Sequence, residues 1–288
     1  MCEFIVCRER VLFVLEPIFH RTIWGGARLV SVYGDKAIGL GHLYSLRCTD
    51  VGSNTILNGK YAGQRLFDII GAYPLSIALV DAASDLSIQV HPGGELSKYE
   101  SYFFINAPES GRIYCGIDDM PQSDIASLAE TGSILPSIRQ VPVQSAEYIS
   151  IGPQTVHALT AGSFVYEIEQ GEENTYRLYD YGRADNDGKM RDLQIGQAIR
   201  ALDVTLTAEA RRYPPNSAIT EKTYSTQLLA NIEDVENSGS VFGCLTLLSG
   251  RAVVDGVDMK TGMTVILAPN EKLEGLDIEK CILAYSLV

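Results

Sequence analysis

Histidine is scarce in this chain, with four residues in 288, and tryptophan occurs once, at Trp24. Six cysteines (Cys2, Cys7, Cys48, Cys115, Cys244 and Cys281) include no pair at CxxC spacing. That argues against a structural zinc knuckle and favours reduced, mostly buried thiols. No apolar run reaches the roughly 18 residues of a membrane span. The opening MCEFIVCRERVLFVLEP lacks a basic start and a cleavage site, so no signal peptide is expected. Basic residues are also few: 23 Lys and Arg against 36 Asp and Glu give a net charge of −13. A nucleic-acid binder needs a basic face, so none is expected here. A small anionic substrate stays open, because a local cluster of Lys and Arg can oppose the global sign. GxGxxG, GxxxxGK[ST] and GxSxG are all missing, which removes the usual nucleotide cradles and the serine-hydrolase elbow. Together these absences predict a cytoplasmic protein that binds neither membrane nor nucleic acid.

What the chain does contain is short β-like runs bounded by Gly, Pro, Asn and Asp. They lie at 55–57, 76–80, 86–91, 102–106, 112–116, 147–151 and 164–169, and they predict a mainly β fold of the sandwich or barrel kind. Helical spacing predicts helices over 62–72, 123–132 and 190–204. RRYPPNS (211–217) reads as a linker between a larger unit, 1–212, and a small all-β unit, 213–288. The last third carries no histidine and is expected to be structural.

In LSIQVHPGGE (86–95), alternation puts Gln89 and His91 on one face of a strand and Leu86, Ile88 and Val90 on the other. His157 sits in a second strand-like context, IGPQTVHALTAG. Two strands of a barrel could bring His91 and His157 together, with Glu95 or Glu100 supplying the carboxylate that a zinc site takes. From spacing alone, two unrelated core histidines explain the pattern better. EIEQGEENTYRLYDYGR (167–183) interleaves Arg177 and Arg183 with tyrosines and acids. Such guanidinium groups suit a phosphate or an enediolate oxyanion, and equally a set of structural ion pairs. Trp24, in IWGG, reads first as a packing anchor.

Taken together, PIFHRTIWGG, NGKYAGQRL, LSIQVHPGGE, SKYESYFFI, GPQTVHAL, TYRLYDYGR and GKMRDLQIGQAIRAL occur in the order of the type I mannose-6-phosphate isomerases, and the chain resembles the short bacterial form of that family over about 13–206. The resemblance implies a cupin-type β-barrel (jelly roll) with a few helices and a smaller all-β C-terminal domain. It implies one Zn²⁺ per chain, held by Gln89, His91, Glu100 and His157, with Glu95 the second choice for the carboxylate. It implies Lys98 and Arg177 as catalytic residues that also bind substrate, and Trp24 as a substrate contact. The activity implied is interconversion of mannose 6-phosphate and fructose 6-phosphate through an enediol. The alternatives are a non-catalytic cupin that binds or senses a sugar phosphate, or a metallo-isomerase for another sugar phosphate. Several positions depart from the family pattern. GHLYSLR (41–47) replaces GExWExS, HPGGE replaces HPDDE, Ala78 stands where LVKxLDA has lysine, Glu173 replaces an aspartate and Gln194 a histidine.

Overall fold

The structure is a computed structural model and describes residues 11–95, 97–172, 174–185 and 187–288. Cys2, Cys7 and Glu173 therefore lie outside the described residues, as does most of the apolar opening.

Three antiparallel sheets carry the fold. The central sheet runs, in spatial order, Arg211–Arg212, Glu147–Ile151, Tyr99–Asn106, Phe164–Gln170, Leu75–Asp81, Leu40–Leu46 and Ile18–Gly26. A second sheet runs Tyr176–Tyr179, Ile88–Val90, His157–Ala158, Arg112–Ile117 and Ile138–Pro142. The third holds the long C-terminal strands Tyr224–Glu236, Lys272–Ser286 and Gly243–Val254, followed by Thr264–Leu267. The mainly β class expected from the turn spacing holds.

The middle strands of the central sheet are buried on both faces, because each face meets another sheet. Ala78, Val80, Tyr102 and Val165 pack with Ile88, Val90, Ile113 and Leu178 of the second sheet. Their sequence neighbours Ile77, Leu79, Phe103 and Tyr166 face the other way, against Leu228, Cys244, Ile266 and Ile282 of the third. A strand covered on both sides has no reason to alternate, which is why Leu75–Asp81 carries the unbroken apolar stretch Ile77, Ala78, Leu79 and Val80. The four described cysteines, Cys48, Cys115, Cys244 and Cys281, are all free and buried.

Strand Leu12–Glu16 leaves the N-terminal part of the chain and pairs with Thr264–Leu267, so the third sheet takes in residues from both ends. The segment 211–217 is docked. Arg211 and Arg212 pair with Tyr148 and Glu147, and Tyr213 is buried against Phe103 and Tyr148. The helices are shorter than their periodicity predicts: Leu66–Ile70, Gln122–Glu130 and Ile195–Ala201. The first ends at Gly71, whose φ of 75° lies in the left-handed region where glycine terminates helices.

A buried histidine–glutamate centre

Adjacent strands of the second sheet assemble one half of the site. His157 pairs directly with Gln89, and Gln89 pairs on its other side with Arg177. The central sheet supplies the other half: Glu100 on Tyr99–Asn106, with Glu169 its direct neighbour on Phe164–Gln170. His91 follows the strand Ile88–Val90, at the start of the Pro92–Gly94 turn. Gly94 has a φ of 138°, which a side-chain-bearing residue rarely adopts.

His91, Glu100 and His157 converge. All three are buried, and one ligand atom from each lies within 4.8 Å of the other two. His157 Nε2 is 2.7 Å from Glu100 Oε1, and His91 Nε2 is 3.4 Å from Glu100 Oε2. Both imidazoles are oriented from behind. Nδ1 of His91 donates to the Asn174 carbonyl and Nδ1 of His157 to the Thr155 carbonyl, each at 2.9 Å. With the protons on Nδ1, both Nε2 atoms turn a lone pair toward the carboxylate, the arrangement of metal-binding histidines. Nε2 of His91 is buried and has no hydrogen-bond partner among the described residues. Lone pairs from nitrogen and oxygen held this close call for a cation between them, and two imidazoles with a carboxylate form a donor set that suits zinc. Gln89 Nε2 lies 3.4 Å from His157 Nε2, at the edge of the same cluster.

The electrostatics fit this reading. Burial lowers the His91 pKa, with Glu100 opposing, and so favours the neutral, ligating ring. Burial would raise the Glu100 carboxyl, but the Lys98 ammonium beside it opposes this, and the carboxyl is held well below the usual carboxylate range. Tyr102 donates its hydroxyl to Glu100 Oε1 at 2.7 Å. Lys98 reaches Glu100 Oε2 at 2.9 Å and Glu169 Oε2 at 2.5 Å. Burial pulls the Lys98 ammonium down, yet Glu100, Glu169 and Glu167 keep it well above the ordinary lysine value, so it is a fixed cation. Lys98 also lines a 410 Å³ cavity with Pro92, Gly94, Glu172 and Asn174.

Arg177 and Arg183, equivalent in the sequence, separate in the structure. Arg183 pairs with Asp180 at 2.5 Å, and Arg191 grips the same carboxylate through Nε at 2.6 Å and Nη2 at 2.5 Å. Arg177 forms no ion pair among the described residues, and its buried Nε has no hydrogen-bond partner among them. Its backbone is held by Gln194, whose Oε1 accepts from the Arg177 N–H at 3.1 Å. Trp24 is buried in the core between the first two sheets, edge-on to His42 at 5.1 Å. Glu95 is exposed beyond the turn, apart from the histidine–glutamate cluster.

Glu167 and Glu169 were not singled out by the sequence pattern. They alternate with Ile168, which reads as a strand with one solvated face. Both are buried because a sheet covers each face, and with Glu100 they form a second group of three carboxylates.

No family model matches the chain. Among curated proteins, it is 29% identical over 213 residues to a probable mannose-6-phosphate isomerase of Bacillus subtilis, covering 66% of this chain and 68% of that protein. It is 28% identical over 222 residues to the mannose-6-phosphate isomerase of Streptococcus mutans, covering 68% and 70%. Among solved structures, the mannose 6-phosphate isomerase of Bacillus subtilis superposes with a TM-score of 0.79 at 24% identity, over 95% of this chain and 99% of that one. A mannosephosphate isomerase structure from Archaeoglobus fulgidus, described there as putative, gives a TM-score of 0.75 at 15% identity, over 98% and 100%. The cupin-type fold implied by the motifs is thus the fold observed.

Proposed function

We propose that this chain, a relative of the mannose-6-phosphate isomerases by sequence and by fold, is a zinc-dependent aldose–ketose isomerase. It interconverts mannose 6-phosphate and fructose 6-phosphate through an enediol. The observation that carries this reading is the convergence of His91, Glu100 and His157, ring protons turned outward, beside the permanent cation of Lys98. These three residues would hold the metal, one ion per chain, with Gln89 at the rim as the fourth donor. When bound, zinc supplies Lewis acidity toward the carbonyl and hydroxyl oxygens of the sugar.

The remaining work falls to the chain itself. Moving a proton between C2 and C1 builds negative charge on the sugar oxygens. Lys98, clamped between Glu100 and Glu169, offers positive charge that needs no reorganisation. Arg177, beside Gln89 in the sheet, offers a guanidinium without an ion pair among the described residues for an enediolate or phosphate oxygen. Trp24 acts from beneath, through the His42 ring it supports. We place the enzyme in the cytoplasm, with a sugar phosphate as its partner.

A second reading has a specific observation behind it. GHLYSLR places His42 and Tyr44 on a strand of the central sheet, and Ala78 replaces the family's lysine nearby. Altered walls around a kept metal centre suit another sugar phosphate, or binding without turnover. Turnover in deuterium oxide separates these readings. Zinc-loaded protein given mannose 6-phosphate is expected to yield fructose 6-phosphate, with solvent deuterium entering whenever the enediol exchanges its proton. Mannose 6-phosphate recovered unchanged and unlabelled contradicts the isomerase reading.

A further inference from the structure

His42 is held by its strand and by two aromatic rings, and its side chain is 21% exposed. It lies on Leu40–Leu46, paired with His20 on one side and Val80 on the other. Tyr44 stacks on its ring at 5.3 Å and 4°, and Trp24 meets it edge-on at 5.1 Å. Its Nδ1 is buried with no hydrogen-bond partner among the described residues. A buried lone pair left unpaired is tolerated better than a buried N–H, so the proton belongs on Nε2. Nε2 faces Oε2 of Glu167 at 3.9 Å. That is too long for a hydrogen bond, yet an oxygen about 2.8 Å from each atom fits between them. Across the sheet, Ala78 pairs with both Tyr44 and Glu167, so a methyl group is the side chain set between these two neighbours. Burial pushes the His42 pKa down to about 4, with Glu169 opposing and His20 adding to the fall, so the ring is neutral near pH 7.

We propose that His42 and Glu167 together read one hydroxyl group of the hexose phosphate. The Nε2–H of His42 donates to the hydroxyl oxygen, and the hydroxyl donates its own proton to the Glu167 carboxylate. A hydroxyl serves as donor and acceptor at once, which this neutral-donor and anionic-acceptor pair requires. Glu167 belongs to the same group of carboxylates as Glu100, so the hydroxyl would sit beside the metal centre. A stacked, edge-supported imidazole spends little rotamer entropy on binding, which makes the pair a specificity element. The inference rests on the hexose-phosphate reading of the centre and adds the residue that discriminates among such sugars.

Calorimetric binding to zinc-loaded protein tests it, with mannose 6-phosphate and its 2-, 3- and 4-deoxy analogues as probes. His42→Phe keeps the stack and removes the donor; His42→Gln keeps a donor. For mannose 6-phosphate, His42→Phe is expected to bind about tenfold more weakly than wild type, the share of one hydrogen bond to a buried polar pair. His42→Gln is expected to recover part of that loss. For one deoxy analogue, wild type and His42→Phe should bind alike, because the hydroxyl they differ on is gone. Equal binding of mannose 6-phosphate by wild type and both variants overturns the proposal. So does a loss of the same size on every analogue, which marks a structural role. Wild-type binding with no turnover would sink the isomerase reading and leave this comparison intact. No binding of any hexose phosphate by wild type would sink both.

Discussion

His157 and Glu100 face each other at 2.7 Å, nitrogen lone pair toward carboxylate oxygen, with the imidazole proton committed behind to the Thr155 carbonyl. Two like-charged electron pairs at that separation define where a cation belongs. His91 repeats the geometry from the other side, its Nδ1 tied to the Asn174 carbonyl. Removing either ring deletes a ligand and leaves the others oriented. His91→Ala and His157→Ala are therefore expected to lose more than about 100-fold in zinc affinity, beyond the 10–100-fold typical of outer-shell changes. Metal content after dialysis against a zinc buffer, read by atomic absorption, checks this, with circular dichroism confirming that the fold persists.

Lys98 joins the two sheet neighbours Glu100 and Glu169. Deleting its charge leaves two buried carboxylates facing each other. Lys98→Met is expected to destabilise the protein by about 3–5 kcal/mol, the range for breaking a buried pair. Adding Glu169→Gln should recover much of that stability in urea unfolding while activity stays lost. If the double variant were no more stable than Lys98→Met, the Glu100–Lys98–Glu169 clamp would not carry the energy assigned to it.

Arg177 is held through its backbone and leaves its guanidinium uncommitted. Arg177→Ala should keep full zinc content and lose about 10²–10³ in kcat, the range for removing one donor to a developing charge. Arg183→Ala, by contrast, breaks an ion pair with Asp180 and is expected to act on stability. Steady-state kinetics and thermal melts on the two variants separate the roles.

Acid should destabilise the fold before the general carboxylate range is reached. The folded-state pKa of His42 is lowered to about 4, below the ~6.5 of an unfolded histidine. Between those values the unfolded chain takes a proton that folded His42 refuses, so stability is present above pH 6.5 and is lost as pH falls toward 4. Burial lowers His91 in the same direction, and Glu100, depressed in the folded state, loses its contribution only at lower pH. The thermal midpoint of metal-free protein is expected to drop from pH 7 to pH 5, and to drop less in His42→Phe. An equal drop in the two proteins would contradict the assignment to His42.

Much of this was legible in the chain, and the rest was hidden for definite reasons. The strand Glu147–Ile151 appears where its composition and turn signals place it. The alternation around Gln89 and His91 named a shared face but not what the face meets. Register with His157 and Arg177 comes from long-range pairing that no local pattern encodes. Glu167 and Glu169 stayed hidden because alternating acids usually mark a solvated face, and here the face is buried. Arg177 and Arg183 looked alike until partner distances set one as structural and left the other open. The turn at Pro92–Gly94, where the chain departs from HPDDE, borders the cavity that reaches Lys98.

The central claim is that the His91–Glu100–His157 centre makes this chain a metal-dependent mannose 6-phosphate isomerase. Its most direct test is conversion of mannose 6-phosphate by chelator-stripped protein, before and after titration with zinc. The account predicts loss of activity on stripping and recovery that saturates at one zinc per chain. Full activity in the stripped protein, or none in protein carrying its zinc, would contradict it.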